Sequence, residues 1–257
     1  MKAKEVVELL EKLCPTEYAL GWDNPGMHVG HMDNEIGKVL IAVDADDAVV
    51  EYAVNNKVDM IITHHPLIFS GLKQVNDDDF IARRVIKLIE SRINCYCMHT
   101  NFDVAGGMAT KAAEMISLID CVPLEETLPG EGIGRVGYLP KSMTVKELCE
   151  MVKTQFALDT VVLYGDENIS VQRVAISPGS GKSMISYAKE LEAQALITGD
   201  ISYHDGIDAV ANGIQIIDAG HYGIEHIFID IVERYLRGAE VALDIISMPI
   251  NNPQKYI

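Results

Sequence analysis

Four short stretches set imidazoles and carboxylates directly behind apolar runs, and side chains of those types ligate metal ions. The first is Thr63-His64-His65-Pro66. Adjacent side chains leave a regular strand on opposite faces, so His64 and His65 are expected on diverging vectors. Pro66 cannot continue a strand ladder and marks where the backbone departs. Diverging imidazoles suit two ions, or one ion and a supporting residue; a simple hydrogen-bonded histidine pair is the alternative. The second stretch is His99-Thr100-Asn101-Phe102-Asp103, with a hard oxygen donor four residues after an imidazole. The third is Gly220-His221-Tyr222-Gly223-Ile224-Glu225. Here His221 and Glu225 share a helix face and could reach one ion, or hydrogen-bond to each other. The fourth is Thr198-Gly199-Asp200, with His204-Asp205 shortly after. Asp200 and His204 are candidates to orient ligands, because a ligating histidine needs an acceptor on its other ring nitrogen.

His64, His65, Asp103, His221 and Glu225 together offer three nitrogens and two carboxylates. Two divalent ions sharing one carboxylate would use that set and leave positions for water. Mixed nitrogen and oxygen donors without thiolate suit Zn, Fe or Mn rather than a closed structural zinc. Such ions would activate water for attack on an electrophilic carbon or phosphorus. His99, Asp200 and His204 are the candidates for moving protons in that catalysis. The competing reading is a non-catalytic metal-binding module: a regulator, a store or a metallochaperone.

The elements that must position these residues come as a duplication. Val39/Val174, Ile41/Ile176, Tyr52/Tyr187, Ala53/Ala188, Ile62/Ile197 and Thr63/Thr198 are identical at a constant offset of 135. Chance gives about one or two identities over such a span. Both copies read as strand, helix, strand, then another helix and a short strand ending near His99 or His221. The expected fold class is α/β, with two related lobes, each a mixed sheet under helical cover. The metal site is expected at the strand C-terminal ends between the lobes, where open α/β sheets bind ligands. Residues 123–140 are rich in Gly, Pro and Glu and read as turns, which places the lobes at 1–125 and 126–257. Thr144 and Glu147 form a capping box for a helix over 144–156. A last strand is expected over 241–246.

Composition narrows the function. The 257 residues carry 21 Lys and Arg against 38 Asp and Glu, a net charge of −17. That balance argues against sequence-independent nucleic-acid binding, which needs a basic stripe, yet it allows a small anionic substrate because bound metal reverses the local field. Hydrophobic residues at 48% and charged ones at 23% fit a globular chain. There is no apolar leader behind the first lysines and no run of membrane-span length, so a cytoplasmic protein is expected. The five cysteines form no CxxC pair, so neither a disulfide framework nor a zinc ribbon is indicated. Ser177-Pro178-Gly179-Ser180-Gly181-Lys182-Ser183 imitates a phosphate loop, but Ile176 stands where the signature requires glycine. Trp22-Asp23-Asn24-Pro25-Gly26 reads as a turn whose tryptophan anchors packing, with stacking on a substrate the alternative.

The strings around Trp22–Gly26, His64-His65, His99–Asp103, Gly199-Asp200 and Gly220–Glu225, with Gly132-Ile133-Gly134-Arg135-Val136-Gly137, resemble the Nif-three-like family, also called GTP cyclohydrolase 1 type 2 homologs. The resemblance runs nearly end to end. It implies a dinuclear metal centre held by His64, His65, Asp103, His221 and Glu225, with Glu225 bridging. It also implies a homohexamer, and a hydrolase in which water attacks a purine nucleotide such as GTP.

Overall fold

The computed structural model describes residues 1–255; the final two residues of the expected second lobe lie outside the described residues. The chain forms two compact units. Unit 1 is Met1–Gly106 with Phe228–Asn251, and unit 2 is Gly107–Ile227 with a segment from Asn252. Through unit 1 it runs α1 (Ala3–Leu13), β1 (Gly26–Val29), β2 (Lys38–Ala42), α2 (Asp47–Asn55), β3 (Met60–Thr63), α3 (Phe80–Glu90), β4 (Asn94–Cys97) and α4 (Thr100–Ala105). Unit 2 holds α5 (Met108–Met115), β5 (Ile119–Leu128), β6 (Glu131–Thr144), α6 (Val145–Gln155), β7 (Val162–Tyr164) and β8 (Ser170–Ser180). It continues with α7 (Met184–Glu190), β9 (Ala195–Gly199), α8 (Tyr203–Ala211), β10 (Gln215–Asp218) and α9 (His221–Glu225). The chain then returns to unit 1 through α10 (Ile227–Gly238) and β11 (Asp244–Ser247).

Each unit is a mixed sheet with helices, as the sequence led us to expect. Unit 1 has strand order β1-β4-β3-β2-β11, parallel except for β1 at one edge. Unit 2 has order β5-β6-β8-β9-β10-β7, with β8, β9 and β10 parallel and antiparallel strands outside them. The unbroken apolar runs Val39–Ala42 and Met60–Ile62 form parallel strands buried along their length. Leu40, Ile61 and Cys95 pack on Val50, Ala53 and Leu88 of the covering helices. Ala175, Leu196 and Ile216 pack on Met184, Ala188 and Ala209 in unit 2. Among the described residues no helix is long and apolar enough to cross a membrane.

The duplication persists in backbone detail. Val39, Leu40 and Ile41 pair with Met60, Ile61 and Ile62; Val174, Ala175 and Ile176 pair with Ala195, Leu196 and Ile197. Every partner is displaced by the same 174 − 39 = 135. The helices end alike too. Lys57 after α2 and Glu192 after α7 both take the left-handed conformation, with φ of 54° and 55°. Behind them Val58 N–H donates to Ala53 O and Ala193 N–H to Ala188 O, the closure that lets a non-glycine residue occupy that region.

Two features depart from the sequence reading. Residues 123–140 are not a linker: most of them lie in the β5–β6 hairpin, which turns at Pro129-Gly130. The glycines that suggested loop allow strands to approach; a Cβ on Gly132 would collide with the Glu125 carbonyl. The division also differs from a cut at residue 125, since 107–125 belong to unit 2 and 228–251 to unit 1. The cause is pairing: β5 lies along β6, and β11 extends the parallel sheet on β2. Thr144 caps α6 as expected, its hydroxyl accepting from Glu147 N–H while Glu147 accepts from Thr144 N–H.

Candidate metal centre

In unit 1 the chemistry begins where β3 ends. The N–H groups of His64 and His65 both donate to the Val43 carbonyl, at 3.1 and 2.9 Å, so these residues wrap round one acceptor instead of alternating. The expected divergence is therefore absent, and the two rings lie 5.0 Å apart. His99, just past β4, joins them: ligand atoms of His64, His65 and His99 all lie within 4.8 Å of one another. Asp103, one turn along α4, puts Oδ1 3.6 Å from His64 Nε2. His64 is fully buried, with the rings of Phe102 and Phe228 against it.

Each of these imidazoles has its Nδ1 on an oxygen acceptor. His64 Nδ1 is 2.9 Å from the Met98 carbonyl, His65 Nδ1 2.8 Å from Asp44 Oδ1, and His99 Nδ1 2.7 Å from Asp23 Oδ1. An acceptor there fixes the proton on Nδ1 and turns the Nε2 lone pair outward, the form in which histidine binds metal. Asp23 also accepts from the N–H and hydroxyl of Thr100. Burial pushes its carboxyl up, but the bonds from His99 and Thr100 outweigh this and hold it well below the usual carboxylate range. Sequence reading missed both acceptors. Asp23 was absorbed into a turn. Asp44 stands just past β2, a strand end that could have signalled it.

Unit 2 repeats the device. His221 opens α9, with Nδ1 2.7 Å from Asp200 Oδ2 and Nε2 3.0 Å from Glu225 Oε2. Asp200 thus accepts from the His221 ring on the nitrogen opposite Glu225. Glu225 is a buried carboxylate, a state that requires compensating positive charge or donors. Two glycines make the room. Gly199 ends β9 where a Cβ would lie 2.5 Å from the His221 amide nitrogen. Gly179, with φ +76°, sits where a Cβ would run into Glu225 Oε1. His204, the third proton-moving candidate, is exposed on α8 with its ring edge-on to Tyr203, and it enters no metal-competent cluster among the described residues. The Nε2-directed imidazoles and adjacent carboxylates in each unit are donors that fit a divalent ion.

Residues 1–253 match the family described as Duf34/NIF3 (NGG1p interacting factor 3). The chain belongs to the DUF34/NIF3 family. Curated DUF34/NIF3 relatives carry the name GTP cyclohydrolase 1 type 2 homolog. The protein of Clostridium perfringens is 32% identical and matches over all of both chains. That of Lactococcus lactis is 37% identical over 95% of each. Among solved structures, reduced HcgD from Methanocaldococcus jannaschii superposes with a TM-score of 0.86 at 30% identity, covering 96% of this chain and 97% of its own. A Bacillus cereus protein related to NIF3 gives a TM-score of 0.91 at 22% identity, covering 100% and 99%, which bears on the fold alone.

Proposed function

We propose that this chain is a metal-dependent hydrolase holding two divalent ions through His64, His65, Asp103, His221 and Glu225, and acting on a small anionic substrate such as a purine nucleotide. The observation that carries the reading is the shared orientation of the four imidazoles, each with Nδ1 on an oxygen acceptor and Nε2 presented. A buried glutamate beside His221 adds the anionic donor such a centre needs. The name borne by the curated relatives supports GTP ring opening as the reaction to try first.

When bound, divalent ions would supply Lewis acidity toward water and substrate. The protein's own groups do the rest. Asp44, Asp23 and Asp200 hold His65, His99 and His221 in one tautomer and one orientation. Phe102 and Phe228 keep water from His64. His99, with its proton shared toward Asp23, is positioned to pass a proton between water and a leaving group. On the family resemblance we also propose a homohexamer, which a monomer in sedimentation equilibrium would overturn.

Elemental analysis of freshly purified protein tests the centre, followed by turnover of GTP and simple phosphate esters with the metal found. Two ions per chain, with His65→Ala and Glu225→Gln each losing metal and turnover together, is the expected result. Metal loss in His65→Ala with turnover intact would overturn the hydrolase. Stoichiometric metal without activity on a broad panel would move the chain to a storage or regulatory role.

A further inference from the structure

Two large aromatic side chains stand exposed beside the unit 1 histidines. Trp22 is 61% and Phe69 57% exposed, so the tryptophan does not anchor packing as its sequence context suggested. The two ring centroids lie 6.0 Å apart, and they lie 6.1 and 6.4 Å from the ring of His99. Water-exposed apolar faces placed together are costly unless a ligand covers them. Their placement is fixed by a set of hydrogen bonds. Asn24 Nδ2 donates to the Ile68 carbonyl at 2.7 Å, and Ile68 N–H donates to His28 Nδ1 at 3.2 Å. Nε2–H of His28 donates in turn to the Asn24 carbonyl at 2.6 Å. That pattern requires a neutral His28, and burial lowers its pKa in the required direction. The loops bearing Trp22 and Phe69 are thus clamped together through one imidazole, while Asp23, next to Trp22 in the chain, holds His99. Phe69 also lines a cavity of about 610 Å³ with Pro66, Leu72, Gln74 and Ile81, a volume suited to a small molecule.

We propose that Trp22 and Phe69 form a stacking platform for a planar heteroaromatic ring of purine size, a specificity element at the edge of the histidine cluster. The proposal rests on the hydrolase reading in taking the stacked molecule to be the substrate. The 54° tilt between the two rings leaves no slot between them, so the ligand ring lies against the indole face with Phe69 bounding one edge. Offset stacking of this kind is tolerant of ring identity and rejects non-planar analogues.

Trp22 is the chain's only tryptophan, so its fluorescence reports this place alone. The full-length protein is titrated with guanosine monophosphate, guanosine and ribose 5-phosphate, metal-loaded and again after chelation. Saturable quenching by the first two and none by ribose 5-phosphate is expected. In calorimetry, Trp22→Leu weakens guanosine monophosphate binding by about 5- to 100-fold, Phe69→Leu weakens it less, and Trp22→Phe restores most of it. Circular dichroism confirms that each variant is folded. No saturable quench with either purine compound, or unchanged affinity in folded Trp22→Leu, overturns the platform. So does tryptophan emission that changes with protein concentration and ignores the nucleotide, which marks a self-association surface. The two readings fail separately. Quenching that persists in protein unable to hold metal leaves the platform standing without the hydrolase, and metal binding without quenching leaves the reverse.

Discussion

The four histidines share one local arrangement: a ring nitrogen tied to an oxygen and its opposite presented. Asp44→Ala leaves His65 its place at the strand end but frees its ring to rotate and to change tautomer. Metal affinity should fall about 10- to 100-fold, measured by chelator competition, with circular dichroism unchanged. The acceptors were illegible in sequence because they come from afar: Asp44 lies 21 residues before His65, and Asp23 lies 76 before His99. The clustered imidazoles and carboxylates themselves were legible, since they follow apolar runs in the sequence. The cysteines give a second prediction at this scale. Cys14, Cys95, Cys97 and Cys149 are buried and Cys121 is exposed. Burial pushes the Cys95 thiol up to about 12 and raises Cys97 and Cys14 as well, so little thiolate exists at neutral pH. A thiol reagent at pH 7.5 should label Cys121 alone in the native protein, as read by peptide mass spectrometry, and all five after denaturation.

At the scale of elements, turn and cap chemistry decided what could be read. The box at the start of α6 was visible as Thr144 and Glu147, and Thr144→Ala should cost about 1 kcal/mol in urea unfolding. The β5–β6 hairpin was not, because glycines that bring strands close look in sequence like glycines that break them. The same ambiguity hid Gly179, which resembled part of a phosphate loop and instead makes space for Glu225. Gly179→Ala strains a left-handed position and displaces that carboxylate. It should lower metal affinity at least tenfold while the far-UV spectrum stays native; wild-type affinity in the variant would show that the space is not needed.

For the whole molecule, duplication was the strongest sequence signal, and it survives in strand register and in paired left-handed helix ends. What the repeat could not reveal was where the last strand goes. β11 has no counterpart in the 135-residue offset, and only parallel pairing with β2 assigns it to unit 1. It is fastened further by Ser247 to Glu233 and by Arg237 to the Ile245 carbonyl. Truncation after residue 239 should lower the melting temperature by roughly 5 °C or more. It should also uncover the β2 edge and promote association by edge pairing, visible on size-exclusion chromatography. A truncated chain that melts like the parent would show that β11 adds little.

The return of α10 and β11 to unit 1 has a consequence for biosynthesis. A ribosome delivers His64, His65 and His99 early, yet Phe228, which packs on Phe102 and His64, emerges only after all of 107–227. The nascent His64 therefore waits without that ring while all of 107–227 is made, and termination anywhere before residue 228 yields a chain in which Phe228 never covers it.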